Sequence, residues 1–177
     1  MMLWSPLVRL THWGMAALVL FNLFNDTGRI HRWAGYAAAA LVICRLLYSL
    51  TQPRLSPARV RVPDPVSVLD HVRHLLKGQV EPTRGHNPVG MWAALIMWAL
   101  VLSLGFTGWM SQLDRYWGED WLLELHEGLA QGLQAVVLIH WAGVITMSAL
   151  LKQNLVMAMV TGRSNGKHGH LNTEQDN

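Results

Sequence analysis

Apolar and polar positions divide the chain into four long apolar runs joined by three polar connections. The first run, residues 7–24 (LVRLTHWGMAALVLFNLF), follows Ser5 and Pro6, and proline suits the first turn of a helix. It is too long for a signal-peptide core and no small-residue cleavage site follows, so it reads as a retained span. NDTGRI is a turn sequence, and the second run, residues 31–50 (HRWAGYAAAALVICRLLYSL), begins at once. So short a link predicts an antiparallel helical hairpin. Residues 51–90 form the long polar connection, where Pro53, Pro57, Pro63 and Pro65 oppose an early helix. Within it, residues 66–77 place apolar side chains at helical spacing, as a helix lying on a membrane surface would.

The third run, residues 89–110, holds neither histidine nor charge, and its Gly105 and Gly108 leave room for a neighbouring helix or a flat ring. An acidic, aromatic connection (SQLDRYWGEDWL) precedes the last run, residues 124–151, which Lys152 closes. A bilayer core needs about 20 apolar residues of helix, so each run is predicted to span. The expected fold is all-α: an integral membrane four-helix bundle over residues 1–162, with a disordered tail at 163–177.

Composition sharpens this reading. Hydrophobic residues make up 51% and charged residues only 14%, against about 25% charged in soluble domains. Nine tryptophans, several near run ends, suit membrane interfaces. A pI near 9.4 raises the question of nucleic acid. The basic residues, however, flank apolar runs: Arg54, Arg59, Arg61, Arg73, Lys77 and Arg84 all fall between the second and third. That distribution sets membrane orientation rather than nucleic-acid binding, and it places both termini in the cytoplasm. The single cysteine, Cys44, excludes a disulfide framework, a cysteine zinc site and an iron–sulfur cluster within one chain. It reads as a small buried hydrophobe.

Histidines change the picture from a generic membrane bundle to a candidate cofactor protein. His126 and His140 lie fourteen residues apart on the last run. Helix geometry returns them to within about 40° of one direction, at levels about 21 Å apart. Ionisable groups at membrane depth are costly and mark functional sites. The orientation puts His12 and His140 at an inner level and His31 and His126 at an outer one. Each level thus joins the last helix to one helix of the hairpin.

Facing imidazoles in a helical bundle suit a six-coordinate haem iron, whereas spans with no acidic residue beyond the outer end of the last run do not suit di-iron or zinc. No C-x-x-C-H occurs, so attachment would be non-covalent. Gly35, Gly132 and Gly143 fit porphyrin contact or ordinary helix packing equally well. Propionate partners would be cationic. Arg45, fourteen residues after His31, and Arg9 are the inner candidates, Arg32 an outer one. Arg45 also fits a side chain snorkelling to the surface.

The motifs LTHW, HRWAGY, GHNP, TGW, LHE and IHWAG together resemble bacterial cytochrome b561. More broadly, they are similar to the cytochrome b subunits of nickel–iron hydrogenases, formate dehydrogenases and thiosulfate reductases. The resemblance covers residues 4–162. It implies four core helices, two b haems with two histidine ligands each, and electron exchange with the quinone pool of the bacterial inner membrane. By position the ligand pairs are His12 with His140 and His31 with His126. Unlike the larger enzyme subunits, the chain has short first and third connections and no fifth span, which suits a stand-alone cytochrome.

The expected function is transmembrane electron transfer between quinone and a periplasmic partner, a c-type cytochrome or a reductase. His86 and Asn87 are the candidate quinone site, with His71 and His74 weaker. Asp114, Arg115, Tyr116, Trp117, Glu119 and Asp120 offer a docking loop or simply a solvated turn. A homo-oligomer is compatible with the sequence. The alternatives are a superoxide:quinone oxidoreductase, which the acidic outer loop disfavours, and a haem-free scaffold or transporter.

Overall fold

The computed structural model describes residues 5–53, 56, 58–76 and 88–163. Six α-helices follow in order: α1 (Pro6–Phe24), α2 (Gly28–Thr51), α3 (Pro65–Leu76), α4 (Pro88–Met110), α5 (Asp120–Leu150) and α6 (Leu155–Thr161). A single 3-10 turn, Asp114–Tyr116, lies between α4 and α5. No strand occurs among the described residues. The protein is an all-α integral membrane bundle, in which α1, α2, α4 and α5 are long and apolar enough to cross a bilayer.

Local chemistry sets the helix ends. Pro6 occupies the first turn of α1, and the Ser5 hydroxyl accepts the Val8 N–H at 3.4 Å. The reversal into α2 uses Gly28 at φ +88°, a conformation that favours glycine. The Asn22 side-chain amide donates to the His31 carbonyl at 3.1 Å, stapling the hairpin. Gly118 supplies a second positive φ, +81°, just before α5.

α2 is the wall shared by α1 and α4. Ala34, Ala38, Val42, Arg45 and Ser49 make its buried face, one position per turn. Small residues allow close approach: a Cβ on Gly105 of α4 would stand 3.1 Å from the Ala39 Cβ. α5 packs chiefly on α4 and stands off from the α1–α2 hairpin. Ala38, Val42, Val101 and Leu133 form the core of the bundle. Leu133 lies seven residues from both His126 and His140, about 10 Å along the helix from each. The core is therefore an apolar layer midway between the two histidine levels. Outside it, Leu10, Phe24, Ile139 and Ile145 are largely exposed. A water-soluble bundle would bury such side chains; a lipid-facing one leaves them out.

The connection after α2 folds back over that helix. Arg45 Nη2 donates to the Ala58 carbonyl at 2.7 Å, and the Ser49 hydroxyl accepts the Val60 N–H at 2.8 Å. The Trp92 indole then donates to the Pro63 carbonyl at 3.2 Å, fixing the start of α3 against α4.

Three expectations need correction or extension. Cys44 is exposed on the outer face of α2, because Val42 and Arg45 take the inner face. The last span begins at Asp120 rather than 124, since the acidic first turn extends the helix into the polar connection. α6, LVMAMVT, lies beyond the expected spans, because seven residues after the polar Lys152, Gln153 and Asn154 are too few to show a helical period. Lys152 at φ +50° interrupts the helix, and the Asn154 side chain caps the new one by accepting the Met157 N–H at 2.8 Å. The tail at 164–177 lies outside the described residues.

Candidate cofactor sites between the hairpin and the last helix

α5 carries His126 in its second turn and His140 four turns further on. The structure brings each beside a histidine of the hairpin. The rings of His31 and His126 have centres 6.1 Å apart and planes at 69°. Those of His12 and His140 are 6.5 Å apart with planes at 54°. Two metal–nitrogen bonds of about 2 Å, with roughly 1 Å from each nitrogen to its ring centre, put ring centres about 6 Å apart. Both separations match that of two imidazoles sharing one metal ion. No group of three or more histidine, cysteine, aspartate or glutamate side chains converges among the described residues, so the donor sets stop at two imidazoles. A metal carrying its own equatorial ligands, as haem iron does, suits such a set, whereas zinc demands four protein or water ligands.

The outer pair borders a cavity of about 500 Å³, within the range of cofactor pockets. His31, Arg32, Gly35 and Tyr36 line it from α2, Gly108 from α4 and His126 from α5. A flat macrocycle fits here because Gly35 and Gly108 present no side chain to it. Two polar partners that the sequence reading missed hold the histidines. His31 Nδ1 is 2.7 Å from the Asn25 carbonyl, so it donates there and leaves Nε2 free. His126 Nδ1 is 2.7 Å from Thr107 Oγ1. The TGW motif marked this place, but the helical register of α4 against α5 was needed to pair Thr107 with His126.

The inner pair is surrounded differently. His12 Nδ1 and Arg9 Nε are buried with no hydrogen-bond partner among the described residues. Arg45, only 4% exposed, bonds Ala58, lies 5.8 Å over the Trp98 ring and leaves Nη1 unpartnered. Snorkelling does not describe it, since the folded-back connection covers the guanidinium. These orphaned donors, on His12, on Arg9 one turn before it and on Arg45, suit an anionic cofactor edge, and they fit the carboxylates of haem.

The remaining candidates are dispersed. His86 and Asn87 lie outside the described residues. His71 Nε2 is buried without a partner among those residues, while His74 is exposed. Gly132 faces Leu100 of α4 and Gly143 meets nothing within 4 Å, so neither is a tight helix contact. On the outer connection Asp114, Arg115, Trp117, Glu119 and Asp120 are all exposed, and Arg115 lies 5.6 Å over Tyr116.

Comparison with curated proteins gives no match. Comparison with solved structures gives none either. A family model, that of prokaryotic cytochrome b561, matches residues 3–162, and the chain therefore belongs to this family of haem-binding membrane cytochromes b that transfer electrons.

Proposed function

We propose that the chain carries electrons across the bacterial inner membrane through two b haems, exchanging them with quinone at the cytoplasmic face and with a soluble protein at the periplasmic face. The observation that carries this reading is the pair of histidine contacts, His12 with His140 and His31 with His126, set at two levels of α5. Haem bound at each level supplies a one-electron couple. The protein residues do the rest. Each histidine pair would hold one haem iron. The Asn25 carbonyl and Thr107 hydroxyl orient the outer rings. Arg9 and Arg45 supply positive charge beside the inner pair, and Arg32 does so at the outer cavity. The apolar layer of Ala38, Val42, Val101 and Leu133 excludes water between the levels.

Quinone exchange is assigned to the cytoplasmic end, where the connection carrying His86 and Asn87 enters α4. The exposed acidic connection before α5 suits a basic periplasmic partner such as a c-type cytochrome. The test is a reduced-minus-oxidised spectrum with haem extraction on the purified protein. Two b haems per chain, reducible by a quinol analogue, are expected. One haem per chain, or none, overturns the reading.

A further inference from the structure

Thr107 is one of four buried polar or charged residues of the described chain, at 5% exposure. It sits on α4, a helix that contributes no histidine to either pair. Its hydroxyl oxygen lies 3.0 Å from the Ser103 carbonyl, 3.2 Å from the Leu104 carbonyl and 2.7 Å from His126 Nδ1. A hydroxyl has one proton and two lone pairs. Ser103 and Leu104 lie on the same helix, one turn back, and their carbonyls take the proton. A lone pair then faces His126, and the tautomer protonated at Nδ1 donates to it and bears its free lone pair on Nε2, where a metal would bind. Gly108, the next residue, leaves room for the ring: even a Cβ there would reach only 3.6 Å from His126 Cε1.

The outer pair is thus doubly anchored, since His31 Nδ1 likewise faces the Asn25 carbonyl at 2.7 Å. The inner pair is not: His12 Nδ1 is buried and unpartnered among the described residues. A hydrogen bond from the outer nitrogen of a ligating imidazole raises ligand basicity. A more basic ligand stabilises the oxidised metal, so second-shell bonding of this kind tunes haem potential. We infer that Thr107 is a positioning residue for His126, and that its hydroxyl, with the Asn25 carbonyl, makes the outer site the lower-potential of the two. The inference rests on the bis-histidine reading proposed above and adds an order of potentials to it. The one-electron exchange it describes needs no further reactant, since the electron lost at one level is gained at the other.

The experiment is a potentiometric measurement of both haems in the purified full-length protein, alongside Thr107→Val and Thr107→Ser. Valine keeps the buried methyl group and puts a second one in place of the hydroxyl; serine keeps the hydroxyl. The expected result is two resolved midpoints, of which the lower belongs to the haem lost in His126→Ala. Thr107→Val moves that midpoint upward and leaves the other in place, and Thr107→Ser restores it. If the valine variant loses the outer haem instead, retention of that haem at its native midpoint in Thr107→Ser supports the inference. Serine behaving like valine overturns it, as does an unmoved midpoint in Thr107→Val or assignment of the higher midpoint to the outer site. A wild-type protein without two haems refutes the underlying reading instead, so the two failures are distinguishable.

Discussion

His31 of α2 faces His126 of α5 with ring centres 6.1 Å apart, although α5 packs chiefly on α4. The helices thus meet through side chains while their backbones stand apart. A gap of this kind collapses in an ordinary bundle, where neighbouring helices approach to 8–10 Å and fill the space with side chains. Here glycines and imidazoles border it, and the two rings are held by a backbone carbonyl and a threonine hydroxyl. With a second ring pair at the inner level, between α1 and α5, a single helix serves two sites. Its length sets their separation.

Removing one histidine should empty one level and spare the other. His12→Ala and His140→Ala are expected to lose the same haem, and His31→Ala and His126→Ala the other. Each variant retains about half of the wild-type haem per chain, because the apolar layer at Leu133 keeps the two sites structurally separate. Haem extraction with low-temperature difference spectra checks this. Loss of a shared haem in His12→Ala and His31→Ala would show that depth does not pair the ligands.

The four spans were legible because apolar length is a strong signal and the bilayer imposes it. The levels of the histidines were legible too, since a fourteen-residue step on one helix needs no tertiary information. What the sequence withheld depends on contacts between helices. Thr107 looked like any threonine in an apolar run until α4 was set against α5. Ala58 carries no side-chain chemistry, so nothing marked its carbonyl as the partner of Arg45. Cys44 was read as buried because its neighbours are apolar; in a bilayer an apolar neighbourhood describes the outer face equally well. α6 is hidden for another reason: the break at Lys152 is plain, but seven residues are too few to show a helical period.

Leu133 tests the layer between the levels. Its side chain is 4% exposed and packs with Ala38, Val42 and Val101. Leu133→Ala should cost about 2–5 kcal/mol, through lost transfer energy and a residual cavity. Because the substitution removes no histidine, both haems should stay bound in the folded variant. Thermal unfolding in detergent, followed by haem content at low temperature, separates these two outcomes. Loss of haem without loss of stability would contradict the role of the layer as plain packing.

Cys44 provides a probe of the lipid-facing surface without any added cysteine, since it is the only one in the chain. It lies on the outer face of α2, toward the end that the positive-inside rule assigns to the cytoplasm. A nitroxide attached there and reconstituted in bilayers should be relaxed strongly by dissolved oxygen and weakly by a water-soluble nickel complex. The reverse preference would mean that this face of α2 meets water, and that the membrane boundary falls closer to the middle of the helix.

Arg45 is the buried cation whose environment is most demanding. One amino group bonds the Ala58 carbonyl at 2.7 Å, the plane lies 5.8 Å over Trp98, and the other amino group is unpartnered. A guanidinium can bond the connection and keep a second donor for an anionic cofactor edge at the same time. A lysine ammonium has no second fixed donor and stacks less well, so Arg45→Lys is not conservative here. Arg45→Met retains the apolar stem but removes every donor. Losing the bond to Ala58 should cost about 1.5–3 kcal/mol, the range for hydrogen bonds involving a charged group. That loss loosens the connection after α2, so limited proteolysis near Ala58 should accelerate in Arg45→Met. The inner haem should also bind less tightly, while the outer haem, at the far end of α2, is retained at its wild-type level. Competition with an apo-haem acceptor measures the two off-rates separately. Equal destabilisation of both haems would show that Arg45 acts on the bundle as a whole, and normal proteolysis with normal retention would show that its bond to Ala58 contributes nothing.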